Sequence, residues 1–492
     1  MNPLKKLASQ TAIYGLPTIV GRLLSYLLTP LYTYNFTAQE FGVNSTAYSF
    51  VSFLLVLLTY GMETALFRFS QSEIDKQKVY TTALISLISS SAIFVFFMCL
   101  FSAPLAEMSK FKGHSEYVVW FSIIIATDAI AAISFAKLRE QGKAKRFAII
   151  KSVNIFIYVG LNLFFILFCK NIYESQNSTL KAFIDKIYNP EIGIGYIFIS
   201  NLIASLVTLL LLAPEILRIK MVFELPLWKR MMRYAIPLLI AGLAGMTNET
   251  FDRILLNYLL PEKDAMTQIG IYSACYKVSI IMTIFIQTFR FAAEPFFFNQ
   301  SKEKDSKKTM ADIMKYFVII CTIIFLGTMM NIQWIQYFAG SPEFRTGIKI
   351  VPILLLANMF LGVFINQSIW YKLSGQTHYG AYLTIFGALI TIVLNLYWIP
   401  KIGYMGCAWA TLVCYASMMI ASYFLGNKHY PVNYDLKRIL GYIGLSLTLY
   451  FVSRYIRTES AGINLIINNL ILLVFVMAVW KMDVKKLVTK AV

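Results

Sequence analysis

The chain contains about fourteen apolar stretches of roughly 20 residues each, joined by short polar segments. A helix of that length crosses a hydrocarbon core about 30 Å thick. Only 14% of the residues are charged, compared with about 25% in soluble domains. We therefore predict an all-α, polytopic membrane protein. The predicted spans are 11–34, 44–64, 80–102, 117–136, 147–169, 192–213, 234–257, 269–290, 314–332, 348–370, 379–399, 403–425, 438–456 and 462–480.

Faint internal repeats divide these spans into two halves. Gly142 precedes Asn162 by the same spacing that separates Gly375 from Asn395. Other pairs occur in the same order on corresponding helices: Tyr14 and Pro17 with Tyr234 and Pro237, Gly42 and Tyr48 with Gly270 and Tyr276, Phe67–Phe69 with Phe289–Phe291, and Pro190 and Gly193 with Pro400 and Gly403. We predict two six-helix lobes of equal orientation, followed by a helix pair without counterpart. The predicted boundaries are 1–213 for the first lobe, 214–233 for a cytoplasmic linker, 234–425 for the second lobe and 426–492 for the terminal extension.

Two parallel halves related by an axis along the membrane normal enclose a central cavity, which rocking of the halves opens alternately to each side. Proline and glycine interrupt the first helix of both halves, at Pro17 with Gly21 and at Pro237 with Gly242. Helices that bend at these residues suit such motion. A kink without functional role, or glycines that only allow close helix packing, would give the same sequence pattern. The layout is that of a membrane carrier.

The net charge of +19 is explained by topology. With a cytoplasmic N-terminus, 29 Lys and Arg residues fall on the cytoplasmic side and 11 on the opposite side, as the positive-inside rule predicts. An even number of spans returns the C-terminal lysines Lys481, Lys485, Lys486 and Lys490 to the cytoplasm. We therefore predict a multi-pass protein with both termini cytoplasmic, and no nucleic-acid partner.

Charged residues within the spans are costly and point to function. Arg22, Asp128 and Lys277 fall near the bilayer midplane, about 14 to 16 Å into their helices at 1.5 Å per residue. One acid cannot neutralise two bases, so an anionic group such as a phosphate is the expected ligand. A purely structural ion pair of Asp128 with Arg22 or Lys277 is the alternative.

More peripheral charges complete the candidate site. Arg253 and Arg290 join the predicted substrate-binding cations, and Glu63, Glu249 and Asp252 join Asp128 as candidates for ion coupling. Snorkelling and an i,i+4 pair between Glu249 and Arg253 are the structural alternative for this peripheral group.

No cofactor, metal or catalytic residue is predicted. The three histidines fall in loops, and none of the six cysteines has CxxC spacing. The chain has no P-loop sequence and no loop long enough for a nucleotide-binding domain. An ion gradient, of protons or sodium, is therefore the expected energy source.

Three stretches resemble the polysaccharide-type lipid flippases of the multidrug/oligosaccharidyl-lipid/polysaccharide (MOP) superfamily. They are Gly21–Tyr32 (GRLLSYLLTPLY) running into Glu40–Gly42, Gly61–Phe69 (GMETALFRF) and Phe289–Phe297 (FRFAAEPFF). The resemblance implies a MATE-like, fourteen-helix exporter of O-antigen-type repeat units, serving lipopolysaccharide and other surface polysaccharides. Its cargo would be undecaprenyl-diphosphate-linked oligosaccharide, moved across a bacterial cytoplasmic (inner) membrane. Membrane lipids and the polysaccharide polymerase machinery are the other expected partners.

By this resemblance, a cationic cavity receives the diphosphate, and Arg22 and Lys277 are the best matches. Three rivals remain. A multidrug or cation antiporter of the same superfamily would favour acids where this chain has bases. A peptidoglycan-precursor flippase shares the diphosphate lipid. A membrane polymerase or ligase would need catalytic groups in a large outer loop, and the longest such segment, residues 171–188, offers only scattered charges.

Overall fold

The structure, a computed structural model, describes residues 20–21, 23–111, 113–175, 180–217, 219–300, 305–456 and 458–484. Residues 23–35 are helical, and no strand occurs in these ranges. The long helices that follow are α1 (Ala38–Thr59), α2 (Met62–Ser72), α3 (Lys76–Leu100), α4 (Ser115–Glu140), α5 (Ala144–Leu163), α6 (Gly195–Leu217), α7 (Leu225–Leu259), α8 (Glu262–Gln300), α9 (Ser306–Met330), α10 (Val351–Gln367), α11 (His378–Ile402), α12 (Tyr404–His429), α13 (Leu436–Tyr455) and α14 (Ala461–Val479).

The all-α prediction is confirmed. Eleven helical segments of the described chain are long and apolar enough to cross a membrane. The remaining predicted spans are 11–34, whose first nine residues and Arg22 lie outside the described residues, and those on α7 and α13. The count of fourteen spans is compatible with this and stays a prediction. Pro17, Lys485, Lys486 and Lys490 also lie outside the described residues.

Helix boundaries follow local chemistry. α1 begins with a capping box, in which Thr37 Oγ1 accepts from Glu40 N and Glu40 Oε2 accepts from Thr37 N at 2.8 Å. α4 is followed by Gly142, with φ of 66°, and Gly375 has φ of 71° at the matching place in the second half. Glycine adopts this left-handed conformation without steric cost. The internal repeat thus marks equivalent turns.

One compact unit comprises Met1–Gly270. A buried cluster joins α2, α3, α4 and α7, and it includes Met62, Leu84, Leu87, Ile133 and Met231. This burial of apolar side chains against one another holds α7 to the helices that precede it in sequence.

The start of α8 also belongs to this unit and crosses α1 at very short range. A Cβ built on Gly42 would lie 1.9 Å from the carbonyl oxygen of Met266. A Cβ built on Gly270 would lie 1.9 Å from the carbonyl oxygen of Ala38. Only glycine allows backbones this close. The matched pair Gly42 and Gly270, found as a repeat in the sequence, therefore forms one reciprocal crossing.

The second unit comprises Ile271–Val492. α14 is tied to α9 and α13 through Asp483, which accepts from Tyr442 and pairs with Lys315 at 3.2 Å and with Arg438. Near the middle of α14, Asn469 exchanges amide hydrogen bonds with Asn331. The predicted terminal extension is thus fastened to α9 and the residue that follows it at two places. The four-part division with boundaries at 213, 233 and 425 stays a prediction.

Candidate functional site: polar groups inside the first unit

Asp128 lies in the middle of α4, about 18 Å from either end of that 26-residue helix. Its Oδ1 accepts a hydrogen bond of 2.9 Å from the hydroxyl of Ser205 on α6. Ser205 is only 2% exposed. A carboxylate at this depth is costly unless polar groups surround it. The deep acid predicted from the sequence is therefore held by a neighbouring helix of its own unit.

Lys151 is the cation whose electrostatic field acts on Asp128. Lys151 falls inside the predicted span 147–169, although it is not among the site residues predicted from the sequence, and it lies on α5, seven residues past Ala144. Its ammonium also lies 4.3 Å from the ring centroid of Phe135, a favourable cation–π distance. The group around Asp128 therefore holds a lysine that sequence reasoning missed.

Further hydroxyl and amide groups form hydrogen bonds inside the same unit. Tyr32 and Tyr158 bring their hydroxyls within 3.1 Å, and Tyr32 also donates to Asn162 Oδ1 at 3.0 Å. Asn201 donates to the hydroxyl of Tyr48 at 3.0 Å. Asp128 acts electrostatically on Tyr48. We call Tyr32, Tyr48, Asp128, Lys151, Tyr158, Asn162, Asn201 and Ser205 the polar interior of the first unit.

Arg253, on α7, is nearly buried, at 9% exposure. Its guanidinium pairs with Asp252 at 3.0 Å and donates to the backbone carbonyl of Glu249 at 3.0 Å. The sequence led us to expect a side-chain pair between Glu249 and Arg253 as the structural alternative. In the structure, Arg253 pairs with the adjacent carboxylate of Asp252. This cation is thus already engaged within its own helix.

Each half contains an ion pair whose base lies at an equivalent place. In the first, Arg139 near the end of α4 pairs with Glu63 on α2. In the second, Lys372, just after α10, pairs with Glu294 on α8. Arg139 and Lys372 both precede a matched glycine by three residues. Side chains in these pairs are 30% to 39% exposed. The two bases are therefore equivalent by the repeat, whereas Glu63 precedes Phe67–Phe69 and Glu294 follows Phe289–Phe291.

The predicted cations of the second unit lie on α8. Lys277 is partly buried, and Arg290 is exposed. Arg22 lies outside the described residues. The structure therefore brings Asp128, Lys151 and Ser205 together, brings Asp252 to Arg253, and leaves the roles of Arg22, Lys277 and Arg290 as predictions.

Known proteins were compared with this chain. A family model described as "Polysaccharide biosynthesis protein" matches residues 7–301. An uncharacterized membrane protein of Methanocaldococcus jannaschii is 23% identical over 436 residues, which cover 82% of this chain and 81% of the relative.

Solved structures share the fold. A structure of lipid II flippase MurJ, in an inward closed conformation, has a TM-score of 0.75 at 16% identity, and covers 95% of this chain and 98% of its own. An inward-facing MATE family multidrug resistance transporter of the MOP superfamily has a TM-score of 0.60 at 14% identity, with 88% and 96% covered.

The fold is that of these two solved transporters, and eleven of the described helical segments are long and apolar enough to cross a membrane. The chain belongs to the polysaccharide biosynthesis protein family, since the family model covers more than half of it.

Proposed function

We propose that this transporter is a flippase for undecaprenyl-diphosphate-linked oligosaccharide repeat units, and that it delivers them across a bacterial cytoplasmic membrane for surface polysaccharide synthesis. The observation that carries the proposal is the presence of partly buried lysines, Lys151 and Lys277, on membrane-spanning helices of a member of this family. A diphosphate is the anion whose charge such cations suit.

Arg22 and Lys277 are proposed to receive the diphosphate in a cavity that opens alternately to the two membrane faces, while the lipid tail stays in the bilayer. Arg253 and Arg290 are secondary contacts in this proposal. Arg253 would have to leave Asp252, to which it is bound at 3.0 Å. Breaking a pair between two nearly buried charges is costly, so Arg253 is the weaker of the candidates.

Energy coupling is proposed to act at Asp128, with Glu63, Glu249 and Asp252 as the other candidate acids. Among the described residues, Asp128 has the hydroxyl donor Ser205 and the nearby cation Lys151. A bound sodium ion would add a second positive charge beside Lys151, which like-charge repulsion opposes. This arrangement supports a proton over sodium at Asp128.

Flipping of a peptidoglycan lipid precursor is the second candidate. The fold likeness to a protein described as lipid II flippase supports it, with a TM-score of 0.75 against 0.60 for the multidrug transporter. The family description, which refers to polysaccharide biosynthesis, favours the first candidate. The two candidates are separated by expressing the chain in cells that lack a polysaccharide flippase and in cells that lack a peptidoglycan-precursor flippase. The function that is restored identifies the cargo.

The proposed binding role is tested by Arg22→Ala and Lys277→Ala. Each should abolish delivery of surface polysaccharide while the protein stays in the membrane at normal abundance. Lys428→Ala, at an exposed position near the end of α12, removes one positive charge and should leave delivery unchanged. Normal surface polymer in both test variants would refute the assigned roles.

A further inference from the structure

A cavity of about 820 Å³ lies wholly within the first unit, at the start of α1 and α8 and beside the segments that lead into α4 and α6. We call it the outer pocket. Its size falls within the range of about 300 to 1,000 Å³ typical of small-molecule sites. The lining residues that matter most are Gln39, Glu40, His114, Tyr117, Glu191 and Lys263.

All of these lining segments fall on one side of the membrane. In the topology predicted from the Lys and Arg distribution, the start of α1, the α3–α4 connection, the α5–α6 connection and the α7–α8 turn are all on the non-cytoplasmic face. The pocket therefore opens where cargo would leave a protein that exports it.

The floor of the outer pocket is the close helix crossing. Val43 and Met266 line it, and Met266 is the residue whose carbonyl lies against Gly42. Backbone packed this tightly leaves no passage between α1 and α8 at that point. The pocket is therefore a bounded outer chamber beside the crossing.

The charges of the outer pocket do not suit a diphosphate. Its lining holds three carboxylates, Glu40, Glu191 and Glu262, against two ammonium groups, Lys110 and Lys263. A doubly charged anion would meet net repulsion. Carboxylate and amide oxygens, in contrast, accept hydrogen bonds from hydroxyl groups. The lining chemistry therefore fits a polyhydroxylated ligand.

The ring of His114 adds a flat contact surface, because Tyr117, only 3% exposed, packs behind it. The rings of His114 and Tyr117 stack with centroids 4.5 Å apart and planes at 4°. Glu116 holds His114 through Nδ1 at 2.7 Å. The apolar face of a sugar ring packs well on a flat aromatic group that also offers a polar edge.

Several pocket groups are fixed in place. Glu40 Oε2 accepts from both the amide and the hydroxyl of Thr37, each at 2.8 Å. Lys110 has a φ of 61° and donates to the backbone carbonyl of Asn257. A non-glycine residue in the left-handed region is uncommon, and such strain often occurs at functional sites. Ligand groups would therefore meet a largely preformed site.

We propose that the outer pocket binds the oligosaccharide head of the cargo on the non-cytoplasmic side of the membrane. The inference rests on the proposed flippase function and adds a glycan site that is separate from the cations for the diphosphate. Glu40, Gln39 and Glu191 accept hydrogen bonds from sugar hydroxyls, and the ring of His114, which rests on buried Tyr117, supports a ring face.

The test uses the full-length protein in lipid nanodiscs. The probe is the soluble repeat-unit oligosaccharide, free of lipid and phosphate, prepared from the surface polysaccharide of the cell that encodes the chain. Calorimetry should show saturable binding, weakened at least tenfold by Glu191→Gln and by Gln39→Ala. Both residues are exposed, so these changes should leave the melting temperature unchanged.

Glu107→Gln is the matched control, because Glu107 is exposed on the Ser102–Met108 helix of the same face and does not line the pocket. It should bind the oligosaccharide like the wild type. Inorganic diphosphate should not compete with the oligosaccharide. Competition by diphosphate, or equal binding by the two pocket variants and the wild type, would overturn the proposal.

Transport of the lipid-linked cargo in vesicles is measured alongside. Wild-type protein that transports but does not bind the soluble oligosaccharide would refute the outer glycan site alone. Wild-type protein that transports no lipid-linked oligosaccharide would refute the proposed function itself.

Discussion

The interiors of the two halves differ at positions that the internal repeat makes equivalent. Asn162 and Asn395 both donate from Nδ2 to the backbone carbonyl four residues earlier, at 2.7 and 2.8 Å. Asn162 Oδ1 also accepts from Tyr32. Among the described residues, Asn395 Oδ1 has no hydrogen-bond partner. The same residue in the same local geometry joins a network in one half only.

The charged residues also differ between the two halves. At the offset that relates Gly142 to Gly375, Asp128 corresponds to Leu361 and Lys151 to Thr384. Thr384 donates to the carbonyl of Gly380, within its own helix. The combination of Asp128 with Lys151 is therefore a property of the first half. The predicted halves share matched turns, while the polar interior that we propose for coupling is present in one of them.

The largest expected effect comes from Lys151→Met. Lys151 is a partly buried cation whose field favours the charged form of Asp128, so its removal leaves that acid with less compensation. We expect transport to fall more than tenfold in vesicles and the melting temperature to drop. Thr384→Val, at the equivalent place in the second half, should change stability by less than about 1 kcal/mol.

A double variant tests whether the loss of stability comes from the charge that is left behind. Asp128→Asn combined with Lys151→Met removes both charges, so its stability should exceed that of Lys151→Met alone. Its transport should stay low and should no longer respond to an imposed proton gradient. A retained gradient response would place coupling at another acid.

A smaller difference is expected for the matched asparagines. Asn162→Leu removes the acceptor of Tyr32, and should lower the unfolding free energy by about 1 kcal/mol. Asn395→Leu removes an amide whose oxygen has no hydrogen-bond partner, and should lower the unfolding free energy by only a few tenths of a kcal/mol. Thermal unfolding in the same detergent measures both. Equal losses would contradict the asymmetry of the two interiors.

The smallest effects should come from the repeated ion pairs, and they should be equal in the two halves. Glu63→Gln and Glu294→Gln each break a pair whose side chains are about one third exposed. Such pairs contribute about 0 to 1 kcal/mol and weaken with salt. A much larger loss for Glu63→Gln, with defective gradient response, would support Glu63 as the coupling acid.

Much of the architecture is predictable because apolar length and glycine position are local signals. The helical spans, the equivalent turns at Gly142 and Gly375, and the depth of Asp128 follow from sequence spacing. Gly42 and Gly270 were found as a repeat, but their mutual contact is a packing property that spacing does not reveal.

Lys151 shows why the candidate site could not be fully predicted. A basic residue near the cytoplasmic end of a span is typical of the positive-inside pattern, so its sequence position suggests a loop role. Its neighbours Asp128 and Phe135 come from another helix. The contact of Tyr32 with Tyr158 and Asn162 likewise joins residues more than 120 positions apart. No periodicity encodes such contacts.

The most direct test of the central claim is transbilayer movement of undecaprenyl-diphosphate-linked oligosaccharide in vesicles that contain only the purified chain. The account predicts rapid movement with the wild type, and with Lys277→Ala only the slow movement of protein-free vesicles. Movement no faster with the wild type than without protein would contradict the account.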